Sequence, residues 1–258
     1  MFEQDLEEKN IEIENNVDIQ PNKESEKELS FVKKLALFLT GCVGFEIIGF
    51  IVSLIVVLLV GTDAAQTPEV TGIINFICYG SLFVILVAIL NKDIVKLFSS
   101  FTKGRNYLFG IVFAALLIGV PIFYNMLINL FRETGTSQNE EGLRSFIVIY
   151  PLLSIFILGV VGPFCEELTY RVGLFGLLKK HKWLAYIVSA IVFALMHFTF
   201  TAKGEAMIDE LLNLPIYLFS GVMFALAYDK FGLSCSLTAH VINNVFAISM
   251  TIIASLIS

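Results

Sequence analysis

SFIVIYPLLSIFILGVVGPFCEELTYR, residues 145–171, joins two kinds of sequence that rarely sit side by side in a soluble protein. Residues 145–165 hold no Asp, Glu, Lys or Arg, and then Glu166, Glu167 and Arg171 follow in one short stretch. About 20 apolar residues are enough to cross a hydrocarbon core roughly 30 Å thick. Inside lipid every backbone N–H and C=O needs an internal partner, which leaves helices or closed barrels. The expectation is a helix. Carried on through Lys180 it would be about 54 Å long at 1.5 Å per residue, too much for one crossing, so Gly162-Pro163 is the expected break.

The same composition extends on both sides. Apolar runs cover 35–60, 70–90, 107–131, 145–165, 183–202, 211–228 and 231–258, and Glu46 is the one Asp, Glu, Lys or Arg among them. The fold class is therefore all-α, a polytopic transmembrane bundle of about seven spans, or eight if the Glu166 segment is broken. A hydrophobic share of 57% against 16% charged residues excludes an ordinary soluble domain. The net charge of −6 belongs to the N-terminus, where residues 1–30 hold ten acids and three lysines. That stretch has neither the apolar core nor the cleavage site of a signal peptide, and is expected to be a disordered, acidic, cytoplasmic tail. Residues 31–144 then form N-terminal transmembrane helices and 145–258 a second set of transmembrane helices, the one that carries Glu166, Glu167 and Arg171. Cys42, Cys78, Cys165 and Cys235 lie in or beside apolar runs and are expected to be small buried hydrophobes.

Orientation follows from the basic residues. Those of the tail, of 91–106, of 179–182 and Lys230 fall on one side if the spans alternate, leaving Arg132, Arg144 and Lys203 on the other. Loops rich in Lys and Arg stay in the cytoplasm, so the N-terminus is expected inside.

An ionisable group at membrane depth is by default a candidate for function. Glu167 and Arg171, four apart, share a helix face and can pair, while Glu166 projects about 100° away and is free for chemistry. Alone, these three could be a helix-end charge cluster. Phe193-x-x-x-His197 sets an aromatic ring one turn before an imidazole, and His240-x-x-x-Asn244 sets two hydrogen-bonding side chains one turn apart in a span without formal charge. Together they form a constellation. Glu46, near Gly41, Gly44 and Gly49, is expected to be a hydrogen-bonded packing residue or else to line a pathway or a helix contact, and Pro121 with Asn125 a kink and its partner.

In order and spacing these motifs, EExxxR, FxxxH and HxxxN over about 145–250, resemble the CPBP intramembrane proteases, which include CAAX prenyl endopeptidases and bacterial Abi-type proteins. Val172 follows the arginine here, where many members have glycine, and Gly173 comes after it. The resemblance implies an endopeptidase acting on a membrane-associated substrate: Glu166 activates water with His197, His240 and Asn244 complete the site and stabilise the oxyanion, and Glu167 and Arg171 support it. It also implies membrane lipid and a membrane-bound or lipid-modified polypeptide as partners, and no nucleic acid. A divalent metal such as zinc would be held by Glu166, His197 and His240, if one is used at all. The metal-free route has the better chemistry, because no helix presents two histidines and a base in HExxH spacing. Measured along the spans, the three groups do not start at one depth, so tilt, the Gly162-Pro163 break and a cavity open to the cytoplasm are expected to reconcile them. The alternative function is a non-proteolytic membrane partner, such as a bacteriocin-immunity or signalling regulator. A proton-coupled transporter lacks the paired discontinuous helices such proteins show.

Overall fold

The computed structural model describes residues 29–65, 67–133 and 135–257. Residues 1–28, and with them the expected acidic tail, lie outside the described residues. Among the described residues all regular structure is helical. Six helical stretches are long and apolar enough to cross a membrane. They are α1 (Phe31–Val60), α2 (Pro68–Leu90, continued by short turns to Thr102), α3 (Gly104–Asn129), α5 (Pro151–Leu178), α7 (Glu205–Phe231) and α8 (Leu233–Ile257). Between them lie α4 (Gln138–Ile149), which carries its charges in its first turns, and α6 (Lys182–Met196).

With α6 counted, seven helices run back and forth, as the apolar runs require. The details differ in two places. The Glu166 segment is unbroken, and the interruption falls earlier, at Tyr150-Pro151, where Tyr150 leaves helical geometry and Pro151 opens α5. Proline is well placed at a first helical turn, because its missing N–H would be unpaired there anyway. Gly162-Pro163 does not break the helix because the backbone widens around it. Residues Ile157–Val161 are π-helical, with the Gly162 N–H bonded to Ile157 O, and Glu167–Phe175 are π-helical again. In this wide register the donor due to Leu158 O would be the nitrogen of residue 163, a proline. Asn244 Nδ2 supplies it instead, at 3.1 Å from Leu158 O.

The second difference is α6, which stops at Met196 rather than continuing to residue 202. Its 15 residues span about 22 Å, less than a full crossing. What stops it is Glu210: this buried carboxylate on α7 accepts the Thr199 N–H at 3.0 Å and draws the chain out of the helix just past His197. The same carboxylate accepts the Gln138 N–H at 2.7 Å, tying the start of α4 to the same point.

Small residues let the helices approach. Gly221 on α7 lies against the Ala190 backbone of α6, where an added Cβ would stand 2.8 Å from Ala190 Cα. Gly173 meets the α1 backbone, where a Cβ would stand 2.9 Å from the Phe38 nitrogen. The glycine one place later than in many relatives of the motif is thus the residue over which α1 crosses α5. All four cysteines are free and buried.

Candidate active site

Three helices deliver the ionisable groups to one point. Glu166 closes the α-helical turn between the two π-helical stretches of α5, His197 caps α6, and His240 sits eight residues into α8. Glu166 Oε2 lies 3.6 Å from His240 Nε2 and 4.0 Å from His197 Nε2. The depth mismatch expected from the sequence disappears because α5 opens at Pro151 and runs unbroken to Leu178, so Glu166 lies about 18 Å from its end, close to the roughly 22 Å between His197 and the start of α6.

The outer nitrogens of the imidazoles fix their tautomers. His197 Nδ1 is 2.8 Å from the Phe193 carbonyl oxygen, which can only accept, so Nδ1 carries a proton. His240 Nδ1 is 2.9 Å from Glu167 Oε1, a carboxylate oxygen that again accepts. Both rings therefore turn Nε2 toward Glu166. When the imidazoles are neutral, three acceptors converge, and Glu166 Oε2 takes no hydrogen bond from any described residue. Buried acceptors so arranged call for a donor between them, and the smallest that serves is water.

Behind this front the polar groups are held tightly. Glu167 is fully buried, accepts from His240 and from Ser236 Oγ, and faces Arg171 Nε at 3.6 Å. The pairing expected from the four-residue spacing forms. Arg171 makes no hydrogen bond to any described residue and lies among aromatic faces, with Cζ 4.8 Å from the Phe193 ring centre and 5.2 Å from that of Phe224. Phe224 also stacks on His240, at 4.1 Å between centres. Phe193 packs on His197 at 4.6 Å, as the one-turn spacing suggests, and Tyr217 stacks on its other face at 4.9 Å.

The hydrogen bonds of Asn244 run to Leu158 and Asn243, outside this cluster. The residue lines the cavity and spends one amide hydrogen on the Leu158 carbonyl. Glu46 is exposed on α1 and lines the same cavity, so it is not the packing residue expected of it. Pro121 and Asn125 line it too, on an uninterrupted α3.

The residues that escaped sequence reasoning are Ser236, Phe224, Tyr217 and Glu210. Ser236 precedes His240 by one helical turn and could have been found by that spacing. The others act through contacts with distant chain: Tyr217 Oη is 2.9 Å from Ser137 Oγ, and Glu210 holds backbone N–H groups of two separate connections.

The donor set of one carboxylate and two imidazoles has zinc chemistry, with Glu167 behind His240 as zinc-binding histidines often have. The spacing does not match it. Metal–ligand bonds of about 2.0–2.1 Å in a tetrahedron put neighbouring donors about 3.3 Å apart, less than the 3.6 and 4.0 Å found here. Among the described residues no group of three His, Cys, Asp or Glu is arranged to hold an ion.

The cavity in front of these groups has a volume of about 820 Å³. It runs from Glu166, His197 and His240 past Ile216 and Asn213 to Gly135, Glu140 and Arg144, and along α8 to Ala254. These last residues belong to the end of the bundle away from Lys92, Lys103, Lys180 and Lys230. A cavity opening at the lysine-bearing end, as expected from the sequence, is not what the structure has.

Comparison with known proteins gives a consistent result. Residues 148–246 match the family described as type II CAAX prenyl endopeptidase Rce1-like. Over 178 residues the chain is 27% identical to the membrane-embedded CAAX protease MroQ of Staphylococcus aureus, covering 64% of this chain and 67% of that one. An uncharacterized protein of Mycoplasma capricolum is 29% identical over 178 residues, covering 62% of this chain. The match spans about half of that relative's length, 49%. The UPF0177 protein YvdC of Lactococcus lactis is 30% identical over 84 residues, covering 32% of each chain. No solved structure matches.

Proposed function

Because this chain belongs, through residues 148–246, to the Rce1-like family of CAAX-type membrane proteases, we propose that it is an intramembrane endopeptidase. It hydrolyses a peptide bond of a membrane-bound or lipid-modified polypeptide with water activated by Glu166 and His197. The observation that carries this reading is the convergence of Glu166 Oε2 and two imidazole Nε2 atoms, 3.6 and 4.0 Å away, at one point of the cavity.

Water at that point gives its proton to Glu166, with His197 Nε2 accepting its other hydrogen and orienting the oxygen. The oxygen attacks the scissile carbonyl, and the developing oxyanion needs donors. His240 is suited to that part: Glu167 behind Nδ1 supports the imidazolium that forms when Nε2 holds a proton, as a buried carboxylate does behind a catalytic histidine. The second amide hydrogen of Asn244 is a further donor within the same cavity. Collapse of the tetrahedral intermediate passes the proton from Glu166 to the leaving amine. Arg171 offsets the charge of Glu167, so that this carboxylate can remain buried and ionised beside its histidine. No step needs a metal at the separations found. Residues 145–258 are the catalytic part, and 31–144 supply the cavity's remaining wall. The N-terminus lies in the cytoplasm of a bacterial cell, with the chain in the plasma membrane.

Replacing Glu166 by Gln, or His197 by Ala, should abolish cleavage in reconstituted vesicles while the protein stays folded in detergent. Turnover retained by Glu166→Gln would refute the assignment. Proteomic comparison of membrane fractions carrying wild-type or Glu166→Gln protein should show fragments that vanish with the variant, and these identify the substrate.

A further inference from the structure

The two ends of the bundle are built differently. At the end where α1 begins, Leu37, Leu90, Leu168, Val172 and Leu233 belong to one buried cluster, and Phe175 packs with Ala185 and Ala225 in another. Polar ties brace the same end: Lys33 Nζ donates to Leu90 O at 3.0 Å, and Asn106 Nδ2 to Ser234 Oγ at 3.0 Å. Between this end and Glu166 the interior is filled. In the other direction the cavity continues past Asn213 and Ile216. Glu140 and Arg144, both exposed, stand at its rim.

Basic residues divide the opposite way. Of the Lys and Arg between residues 31 and 258, ten belong to the sealed end, against Arg132, Arg144 and Lys203 at the open one. Short connections rich in Lys and Arg are retained in the cytoplasm during insertion. The sealed end is then the cytoplasmic one and the mouth faces outward.

We infer that the site is loaded from the non-cytoplasmic side, and that its substrate is an exported or membrane-anchored polypeptide whose scissile segment lies on that side. The lining suits an extended peptide. Asn125 and Asn243 offer carboxamides able to donate to a backbone carbonyl and accept from a backbone N–H, while Asn213, whose amide already donates to Gly135 O and Asp209 O, offers an acceptor. That the occupant is a substrate rests on the hydrolase reading; the side from which it enters does not.

The side is tested by cysteine accessibility in intact cells, with a membrane-impermeant maleimide and the full chain. The four native cysteines are buried, so the unsubstituted protein sets the background. Thr136→Cys at the mouth and Ile216→Cys within the cavity should be modified in intact cells, and Lys103→Cys at the sealed end only after permeabilisation. Modification of Lys103→Cys from outside, with Thr136→Cys protected, would overturn the inference. So would failure of Ile216→Cys to react from outside while Thr136→Cys does. Fragments lost with Glu166→Gln decide the hydrolase reading separately, and a cut that maps to a cytoplasmic segment would overturn only the side.

Discussion

The two histidines that face Glu166 are held by opposite means. His240 lies inside a continuous helix, its side chain 3% exposed, with Glu167 at one nitrogen and Phe224 flat against the ring. His197 stands at a helix end, its side chain 19% exposed, held by a backbone carbonyl, the Tyr217 ring and the connection that Glu210 pins. One imidazole depends on buried charge and the other on loop anchoring. Buried charge fixes orientation strongly but costs stability when one partner is removed, whereas a loop anchor yields by degrees.

Glu166 serves both sides, so its loss should erase the difference. Glu166→Gln is expected to lower kcat/KM by about 10³–10⁴-fold, in the range of a lost general base and below what the vesicle assay detects, with a thermal midpoint close to that of the parent. Next comes the His240 side. Glu167→Gln leaves Arg171 buried without its carboxylate and should destabilise the protein by about 3–5 kcal/mol, measured by thermal unfolding in detergent. The double variant Glu167→Leu, Arg171→Leu should regain most of that stability and none of the activity. Recovery of turnover in the double variant would show that His240 needs no carboxylate behind it.

The His197 side should give smaller, graded effects. Glu210→Ala leaves two backbone N–H groups without their acceptor and is expected to cost about 1–3 kcal/mol, with a fall in kcat that exceeds any change in KM. Smallest is Tyr217: Tyr217→Ala removes a ring contact worth about 1 kcal/mol and should slow turnover roughly fivefold, while Tyr217→Phe keeps the ring and should stay within about twofold. If Tyr217→Ala and Glu167→Gln lowered the thermal midpoint equally, the contrast between the two anchors would fall.

What the sequence made legible is what depends on helical spacing. Glu167 with Arg171, and Phe193 with His197, each meet because four residues make about one turn. The seven-helix bundle followed from apolar length alone. Other features depend on the partner rather than on the period. Glu210 carries no local signal, and only the folded chain brings it the N–H groups of Gln138 and Thr199. Gly162-Pro163 suggested a break because a proline normally costs a helix its i−4 bond, but a wider turn moved the missing donor to Leu158, and Asn244 replaced it. The open end of the cavity depends on which clusters of leucine and phenylalanine close the other, which no local pattern encodes.

The π-helical stretch Glu167–Phe175 gives α5 a property that ordinary helices lack: the angle between its two halves depends on how widely the turns are wound and not on residue count alone. Its wide turns are an unfavourable winding kept only by surrounding packing, and every residue in it is buried. Were the same residues to tighten to α geometry, at about 100° per residue, the part before them would turn relative to the part after. Glu166 would swing off the axis shared by the two imidazoles while Gly173 kept its seat under α1. In this helix the winding sets the phase between the half that anchors and the half that reacts.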